Sequence, residues 1–397
     1  MIIRTEYMQQ LNDFKDKQII KVVTGIRRCG KSTLLEMFRD SLLNEGVKAE
    51  QIIYINFEDI EYIDLTDFKS LYEHIKQRLC KNEKNYIFLD EVQQVVGFER
   101  AINSLYIMKN TDIYITGSNA YMLSGELATL LTGRYVEIKM LPLSFKEYIS
   151  YWPDKSDLTR RYRNYAQYGA FPYVLEFGDN HKAIREYLGG IYSTAILKDV
   201  VARRNIGDVS MLESIVRFLF DNIGNLCSMK KISDTMTSNG RKITSKTVEN
   251  YVQALVDSFI VYPARRYDVK GKQYLKTGEK YYLVDMGLRY FLLGDRGVDV
   301  GYILENIVYL ELIRRGYQVY IGKVGSYEID FIAINGEHLE YYQVAASVRD
   351  KDTLERELRS LNEVRDHHPK YLITLDDDPA VSHNGIKQVN VLDFLLG

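Results

Sequence analysis

The stretch Gly25-Ile26-Arg27-Arg28-Cys29-Gly30-Lys31-Ser32 determines the predicted fold of the first part of this 397-residue chain. It fits the pattern G-x-x-x-x-G-K-[ST] at every fixed position. An apolar run at residues 19–26 predicts a buried strand, and apolar residues at helical spacing over 31–44 predict a helix after the motif. A glycine turn between a strand and a helix lets the backbone surround a phosphate group. The sequence therefore predicts a phosphate-binding loop in an α/β sheet.

The residue types inside the loop suit ATP. Lys31 is predicted to reach the β- and γ-phosphates, and the Ser32 hydroxyl to be a ligand of Mg²⁺. The alternative is a plain glycine turn between a strand and a helix. The residues predicted to contact nucleotide are Gly25, Ile26, Arg27, Arg28, Cys29, Gly30, Lys31, Ser32 and Thr33.

Two acidic residues follow a second apolar run. Residues 86–89 predict a buried strand that ends in Asp90 and Glu91. Ligands of open α/β sheets bind at the carboxyl ends of the strands. Asp90 is predicted to hold the Mg²⁺ shell through water, and Glu91 to orient or deprotonate the attacking water. Taken alone, two acids after a strand also occur at the start of an ordinary exposed loop.

A third strand, predicted over 112–118, ends in small polar residues. Either Ser118 or Asn119 would place a hydroxyl or an amide between the attacking water and the γ-phosphate. A polar turn with no chemical role is the alternative for this segment.

The rest of the chain divides into three further predicted segments. Residues 1–148 form the ATPase domain, and residues 149–210 form a helical linker or lid. Residues 211–296 predict three helices and a hairpin, which is a winged helix-turn-helix. Residues 297–397 return to alternating strands and helices, which predicts a C-terminal α/β domain.

The motifs resemble the AAA+ ATPase superfamily, with Walker A, Walker B and sensor 1 in order. A closer resemblance is to prokaryotic AAA+ ATPases with a C-terminal DUF4143 region, here at about 195–350. That resemblance rests on the following stretches: YINFED (54–59), LDEVQ (89–93), TGSNA (116–120), LTGRYVEIKMLPLSFKEY (131–148), YGAFPYVL (168–175) and ENIVYLEL with YEIDF (305–331). It implies an ATPase domain, a winged helix, a nuclease-like domain and a homo-oligomer. No classical arginine finger is found; Arg134 is the candidate to contact the γ-phosphate, and a surface or salt-bridging arginine is the alternative.

Basic residues near the predicted winged helix suggest DNA as a partner, because phosphate contacts need a local positive cluster. Winged helices also act as packing modules, and lysines in a hairpin loop are usually solvated, so both interpretations stay open. Three of these residues lie near the presumed recognition helix and six in or around the wing: Arg241, Lys242 and Lys246, then Arg265, Arg266, Lys270, Lys272, Lys276 and Lys280.

The C-terminal segment has the element order of a PD-(D/E)xK nuclease. Glu305 on a helix and Asp330 on a strand match the fold's acidic residues, and Gln343 stands where a second strand carries an acid. Ala345 occupies the position of the lysine that would stabilise the developing charge. We therefore expect a nuclease-like fold without nuclease activity, unless Lys323 or Lys351 reaches the site.

Composition limits the other possibilities. Formal net charge is −2, so any nucleic-acid surface must be local. The three cysteines, Cys29, Cys80 and Cys227, suit neither a disulfide framework nor a zinc site, which predicts free thiols in a reducing compartment. No apolar run approaches the roughly 20 residues that span a bilayer. The N-terminus is too polar for a signal peptide. These features predict a cytoplasmic protein with no membrane partner.

Three functions fit the sequence. The first is an ATP-driven switch or motor, the second a DNA-binding or DNA-processing protein that uses ATP for loading, and the third an interaction protein that binds nucleotide with little turnover. Asp90 and Glu91 together argue against the third.

Overall fold

The computed structural model describes residues 2–118, 131, 133–154, 156–204, 206–271, 273–295, 297, 299–379 and 381–397, without the side chains of 196–198, 202–204, 276 and 277. The chain forms two compact units. The first comprises residues 1–142 with 257–259, and the second comprises 143–256 with 260–397. Within the described ranges, every helix is too short or too polar to cross a membrane.

The first unit is a parallel sheet with helices. Its helices are Thr5–Asp13 (α1), Lys31–Asn44 (α2), Phe68–Arg78 (α3) and Phe98–Tyr106 (α4). Its strands are Ile20–Thr24 (β1), Ile52–Asn56 (β2), Asn85–Asp90 (β3), Thr111–Gly117 (β4) and Tyr135–Lys139 (β5). The order is β2-β3-β4-β1-β5, with every neighbouring pair parallel. The parallel α/β sheet predicted from the sequence is confirmed.

The three central strands are mostly apolar and completely buried, as is typical of strands covered on both faces, and Lys21 of β1 forms a buried ion pair with Asp112 of β4. Because β3, β4 and β1 are neighbours and parallel, their carboxyl ends meet at one edge of the sheet. This edge carries the phosphate-binding loop, the acidic pair and Ser118, which follows β4.

The second unit combines helices with a mixed sheet. Its helices are Phe145–Ser150 (α5), Leu158–Tyr168 (α6), His181–Ile191 (α7), Asp199–Arg204 (α8), Val209–Asp221 (α9), Met229–Ser238 (α10), Ser245–Asp257 (α11), Met286–Leu293 (α12), Val300–Arg314 (α13), Lys351–Asn362 (α14) and Val391–Leu396 (α15), with a π-helical turn at Tyr192–Lys198. Its strands are Val261–Asp268 (β6), Gln273–Leu283 (β7), Gln318–Val324 (β8), Tyr327–Asn335 (β9), His338–Ala345 (β10), Lys370–Thr374 (β11), Val381–His383 (β12) and Ile386–Asn390 (β13).

The hairpin β6–β7, which the sequence assigns to the wing, belongs to this larger sheet. The strand order is β12-β13-β11-β10-β9-β8-β6-β7. Strand β6 pairs in parallel with β8, from Arg266 opposite Ile321 to Asp268 opposite Lys323. The predicted boundary between residues 296 and 297 therefore separates two segments that share one continuous sheet.

Candidate nucleotide-binding site

Backbone conformation explains both glycines of the phosphate-binding loop. Gly25 follows β1 with φ of +153°, and a Cβ on it would lie 2.2 Å from the carbonyl oxygen of Met140. Gly30 caps α2 with φ of +103°, a backbone conformation that residues other than glycine rarely adopt. The loop therefore turns sharply from strand to helix, and its backbone at Gly25 packs against Met140, which follows β5.

Arg4 anchors this loop from the N-terminal segment. It is almost fully buried, and its guanidinium donates to the carbonyl oxygen of Cys29 at 3.1 Å and to that of Leu141 at 2.8 Å. These bonds join the loop to the segment after β5. No sequence pattern indicates this role of Arg4, because Arg4 lies about twenty residues before the motif.

Lys31 is folded back onto its own loop. Its ammonium donates to the carbonyl oxygens of Gly25 at 3.2 Å and Ile26 at 3.4 Å, and it lies 3.5 Å from Oε1 of Glu91. Only 4% of the residue is exposed. One cation is thus shared between the loop that would hold phosphates and the acid that would act on water.

Asp90 is completely buried at the end of β3. Its Oδ1 accepts a hydrogen bond from the Thr116 hydroxyl, whereas its Oδ2 is buried and accepts none from the described residues. Burial raises the pKa of Asp90, although the hydroxyls of Thr116 and of nearby Ser32 oppose the rise. A buried carboxylate oxygen without a donor, next to a serine hydroxyl, is a donor set that suits a hard cation such as Mg²⁺.

Glu91 is held in a strained position by several partners. Its φ is +55°, which is uncommon outside glycine, and its N–H donates to the Thr116 hydroxyl at 2.8 Å. Its Oε2 accepts from the Ser118 hydroxyl at 3.0 Å and from the Gln93 amide. Burial would raise the pKa of Glu91, but Lys31, Gln93, Ser118 and Arg27 outweigh it, and the pKa is lowered. Glu91 is therefore a carboxylate at neutral pH.

The other predicted loop residues differ in their surroundings. Arg27 forms an ion pair with Glu58 at 3.1 Å, and Arg28 is exposed with φ of +67°. Cys29 is buried, which raises the pKa of its thiol. Ile26 is buried and Thr33 is exposed. Asn119, the alternative to Ser118, lies outside the described residues.

Arg134 does not reach this site. Strand β5 runs parallel to β1, with Tyr135 opposite Ile20 and Lys139 opposite Thr24. Arg134 therefore lies at the start of β1, whereas the phosphate-binding loop follows its end, about 13 Å away at 3.3 Å per residue. Its guanidinium lies over the ring of Tyr106, 5.2 Å from the centroid. The expectation that Arg134 contacts the γ-phosphate is wrong for the site of its own chain.

Comparison with known proteins identifies an AAA domain in the first part of the chain. The family model described as an AAA domain matches residues 17–149. An uncharacterised protein of Haemophilus influenzae is 42% identical over 400 residues, which cover 100% of this chain and 99% of that protein. The chain belongs to one family with that protein, and its residues 17–149 match an AAA domain. An uncharacterised protein of Methanocaldococcus jannaschii is 32% identical over 86% of this chain and 77% of its own length.

Among solved structures, a Walker-type ATPase of Pyrococcus abyssi shares the fold of this AAA+ protein. The TM-score is 0.53 at 16% identity, and the match covers 74% of this chain and 96% of that one. Residues 159–299 match a domain of unknown function, DUF8612. DUF8612 takes the place of the DUF4143 region that the resemblance implied, because the short C-terminal stretches do not distinguish one such domain from another.

The basic residues of the AAA+ protein's predicted wing have several different environments. Lys242 and Lys270 are exposed, and Lys246 is exposed but paired with Glu249 at 3.1 Å. The Arg241 guanidinium donates hydrogen bonds to the hydroxyls of Ser210 and Ser214, and the Arg265 guanidinium lies 3.6 Å from the Glu279 carboxylate. Arg266 is half-buried. Lys272 and the side chain of Lys276 lie outside the described residues.

Lys280 is a buried member of an ion cluster rather than part of a basic surface. Its ammonium lies 3.0 Å from Glu305, 2.9 Å from Glu328 and 4.0 Å from Asp330. Burial lowers the pKa of Lys280, but the three carboxylates outweigh this effect and raise it. The hydroxyl of Tyr282 also donates to Glu305, at 2.6 Å.

The cluster contains the acids that the sequence assigns to a nuclease-like centre. Asp330 accepts a hydrogen bond from the Val344 N–H at 2.8 Å. Gln343 donates to Glu357 at 3.0 Å and accepts from the Ser360 hydroxyl at 3.2 Å and from the Asp330 N–H at 3.4 Å, so its amide joins helix α14 to strand β9. Across the residues that the structure describes, no three His, Cys, Asp or Glu side chains gather as a metal site would require. A lysine does lie among the acids, and it is Lys280.

Replacing Lys280 by alanine is expected to destabilise the second unit by about 3–5 kcal/mol, because it leaves buried carboxylates without their cation. Chemical unfolding at pH 7, followed by circular dichroism, measures this cost. The matched control is Lys270→Ala, an exposed lysine of the same hairpin, with an expected change within about 0.5 kcal/mol. Equal effects of the two substitutions would show that the cluster contributes no net stability.

Proposed function

We propose that the first unit binds ATP with Mg²⁺ and hydrolyses it, and that turnover drives a conformational switch or motor step. The observation that carries this proposal is the meeting of Lys31, Asp90, Glu91 and Ser118 at one edge of the parallel sheet. The loop would contact the phosphates through its backbone and Lys31, and Glu91 at the end of its strand would contact the reacting water. The AAA domain match supports ATP as the nucleotide.

In this proposal Lys31 exchanges the loop carbonyls and Glu91 for the β- and γ-phosphates. Glu91, already ionised, accepts a proton from the attacking water as the new P–O bond forms and the bond between the γ-phosphorus and the bridging oxygen breaks. Bound Mg²⁺, held by Ser32 and through water by Asp90, would supply positive charge to the phosphates. Thr116 keeps both acids in place, because its hydroxyl donates to Asp90 and accepts from the Glu91 N–H.

A second candidate function is ATP-dependent loading onto DNA. We propose that helices α9, α10 and α11 with the hairpin β6–β7 form a winged helix, and that exposed Lys242 and Lys270 contribute to a phosphate-contacting surface. Lys280 is excluded from that surface by its burial. The exposure of Lys242 and Lys270 is the observation that favours DNA as a partner. Fewer basic residues are free for DNA contact than the sequence alone indicates, since Lys280 is buried.

For the terminal segment we propose a PD-(D/E)xK-like fold that has lost its chemistry. Lys280 pairs with Glu305 and Glu328 and lies 4.0 Å from Asp330, and Ala345 contributes no polar group. Homo-oligomer formation is also proposed, since Arg134 does not reach the phosphate site of its own chain and AAA+ sites commonly take an arginine from a neighbouring subunit.

Phosphate release from ATP tests the proposed function. The full chain is expected to turn over ATP with Mg²⁺ and to stop when EDTA removes the cation. Parallel reactions with single-stranded and double-stranded DNA distinguish the candidates, because stimulation by DNA favours loading. The DNA recovered from these reactions is expected to be intact. Mg²⁺-dependent cleavage that disappears in Asp330→Ala would contradict the loss of nuclease chemistry.

A further inference from the structure

Gln93 contacts the carboxylate that the proposed function assigns as the base. It lies in the single 3₁₀ turn Val92–Gln94 that follows Glu91, and its side-chain amide donates to Oε2 of Glu91. Its amide oxygen Oε1 is buried and accepts no hydrogen bond from the described residues. Two residues of one tight turn thus face each other through their side chains.

The orientation of the Gln93 amide follows from this contact. If the amide were turned over, Oε1 would face Oε2 of Glu91, and two acceptors without a proton between them repel each other. The NH₂ group therefore points at the carboxylate, even though this leaves the buried Oε1 without a protein donor. The bond to Glu91 is the interaction that fixes the side chain.

The two oxygens of Glu91 have different partners. Oε2 accepts from both Ser118 and Gln93, which occupies the lone pairs available on that atom. Oε1 lies 3.5 Å from the ammonium of Lys31. When the Lys31 ammonium binds the phosphates of ATP, Oε1 loses its contact with Lys31, whereas Oε2 keeps its hydrogen bonds from Ser118 and Gln93. One oxygen is then held and the other is available to water.

We propose that Gln93 is a positioning residue for ATP hydrolysis. Together with Ser118 it occupies Oε2 of Glu91 and fixes the carboxylate so that Oε1 accepts the proton of the attacking water. This inference rests on the proposed ATPase function and specifies how its base is oriented. Gln93 acts only through Glu91 and contributes nothing to ATP binding.

Steady-state kinetics and ATP calorimetry on the full chain test this role. Gln93→Ala is expected to lower kcat about 10- to 100-fold, by analogy with the loss of a hydrogen-bond partner that orients a metal ligand. The Kd for ATP is expected to change by less than about threefold, because the contact concerns the base and not the phosphate loop. Gln93→Asn keeps an amide on a shorter chain and is expected to recover part of kcat.

The matched control is Gln94→Ala, an exposed residue of the same turn, for which kcat is expected within about twofold of the native value. Adding Gln93→Ala to Glu91→Gln is expected to cause no further loss, since residues that act as a unit are not additive. Native kcat in Gln93→Ala, or fully additive losses in the double variant, would overturn the role of Gln93 alone. Absence of turnover in the unaltered chain would instead overturn the proposed function together with this inference.

Discussion

Lys31→Ala is expected to weaken ATP binding at least about 100-fold. The ammonium is buried in the phosphate-binding loop, and a charge-assisted hydrogen bond contributes about 1.5–3 kcal/mol, of which each 1.4 kcal/mol is a factor of ten in Kd. Because Lys31 is expected to contact two phosphates, the loss should be at the upper end of this range. Calorimetric titration with ATP and Mg²⁺ measures it.

Lys48→Ala is the control for this experiment. Lys48 is an exposed lysine of the same unit, paired with Glu83 at 2.5 Å and distant from the loop in the chain. Its replacement is expected to leave ATP affinity unchanged. Thermal unfolding of both variants shows whether Lys31→Ala keeps its fold, since Glu91 loses a cation there. Native ATP affinity in folded Lys31→Ala would remove Lys31 from the site.

Glu91→Gln is expected to separate binding from chemistry. The amide has nearly the shape of the carboxylate, and its oxygen can still accept from Ser118, but it takes up no proton from water. Loss of a general base typically costs 10²- to 10⁴-fold in rate. We therefore expect kcat to fall by about that factor while ATP affinity stays within a few-fold of the native value.

Glu58→Gln is the matched control for the base. Glu58 is an exposed acid of the same unit whose partner is Arg27 of the loop, so it tests whether any nearby negative charge suffices. Its kcat is expected within about twofold of the native value. If Glu91→Gln turned over ATP at the native rate, another group would have to accept the proton.

The fold of the first unit is predictable because its central strands are rich in apolar residues and the loop motif separates a strand from a helix. The strand order is not, since it depends on which distant segments pair. That order explains the error over Arg134: the residue precedes β5, and β5 lies parallel to β1, so Arg134 falls at the end of the sheet away from the loop. No pattern in the sequence indicates that β5 lies beside β1.

Lys280 shows a similar limit in the second unit. In the sequence Lys280 lies among the lysines of a hairpin, where solvation or DNA contact is the usual expectation. Lys323 and Lys351 are instead the candidates for the missing nuclease lysine. Alternate residues of a strand share a face, so Lys280 and Tyr282 both point toward Glu305. The apolar residues that follow in β7 are the feature that could have indicated burial.

The sequence does not indicate the roles of Thr116 and Gln93, because these roles depend on contacts that form only in the folded chain. Strand β4, which contains Thr116, lies beside strand β3, which ends in Asp90, only once the sheet is assembled. Gln93 follows Glu91 closely in sequence, but its contact requires the left-handed backbone of Glu91, which no residue pattern announces.

A single-turnover assay tests the central claim most directly. The protein is held in excess over ATP, so that nearly all nucleotide is bound, and the conversion of ATP to ADP is followed with time. With Mg²⁺ the unaltered chain is expected to convert its bound ATP, and Glu91→Gln is expected to hold ATP unconverted over the same period. Bound ATP that stays intact in the unaltered chain, or equal conversion by Glu91→Gln, would contradict the account of this site as an ATPase centre with Glu91 as its base.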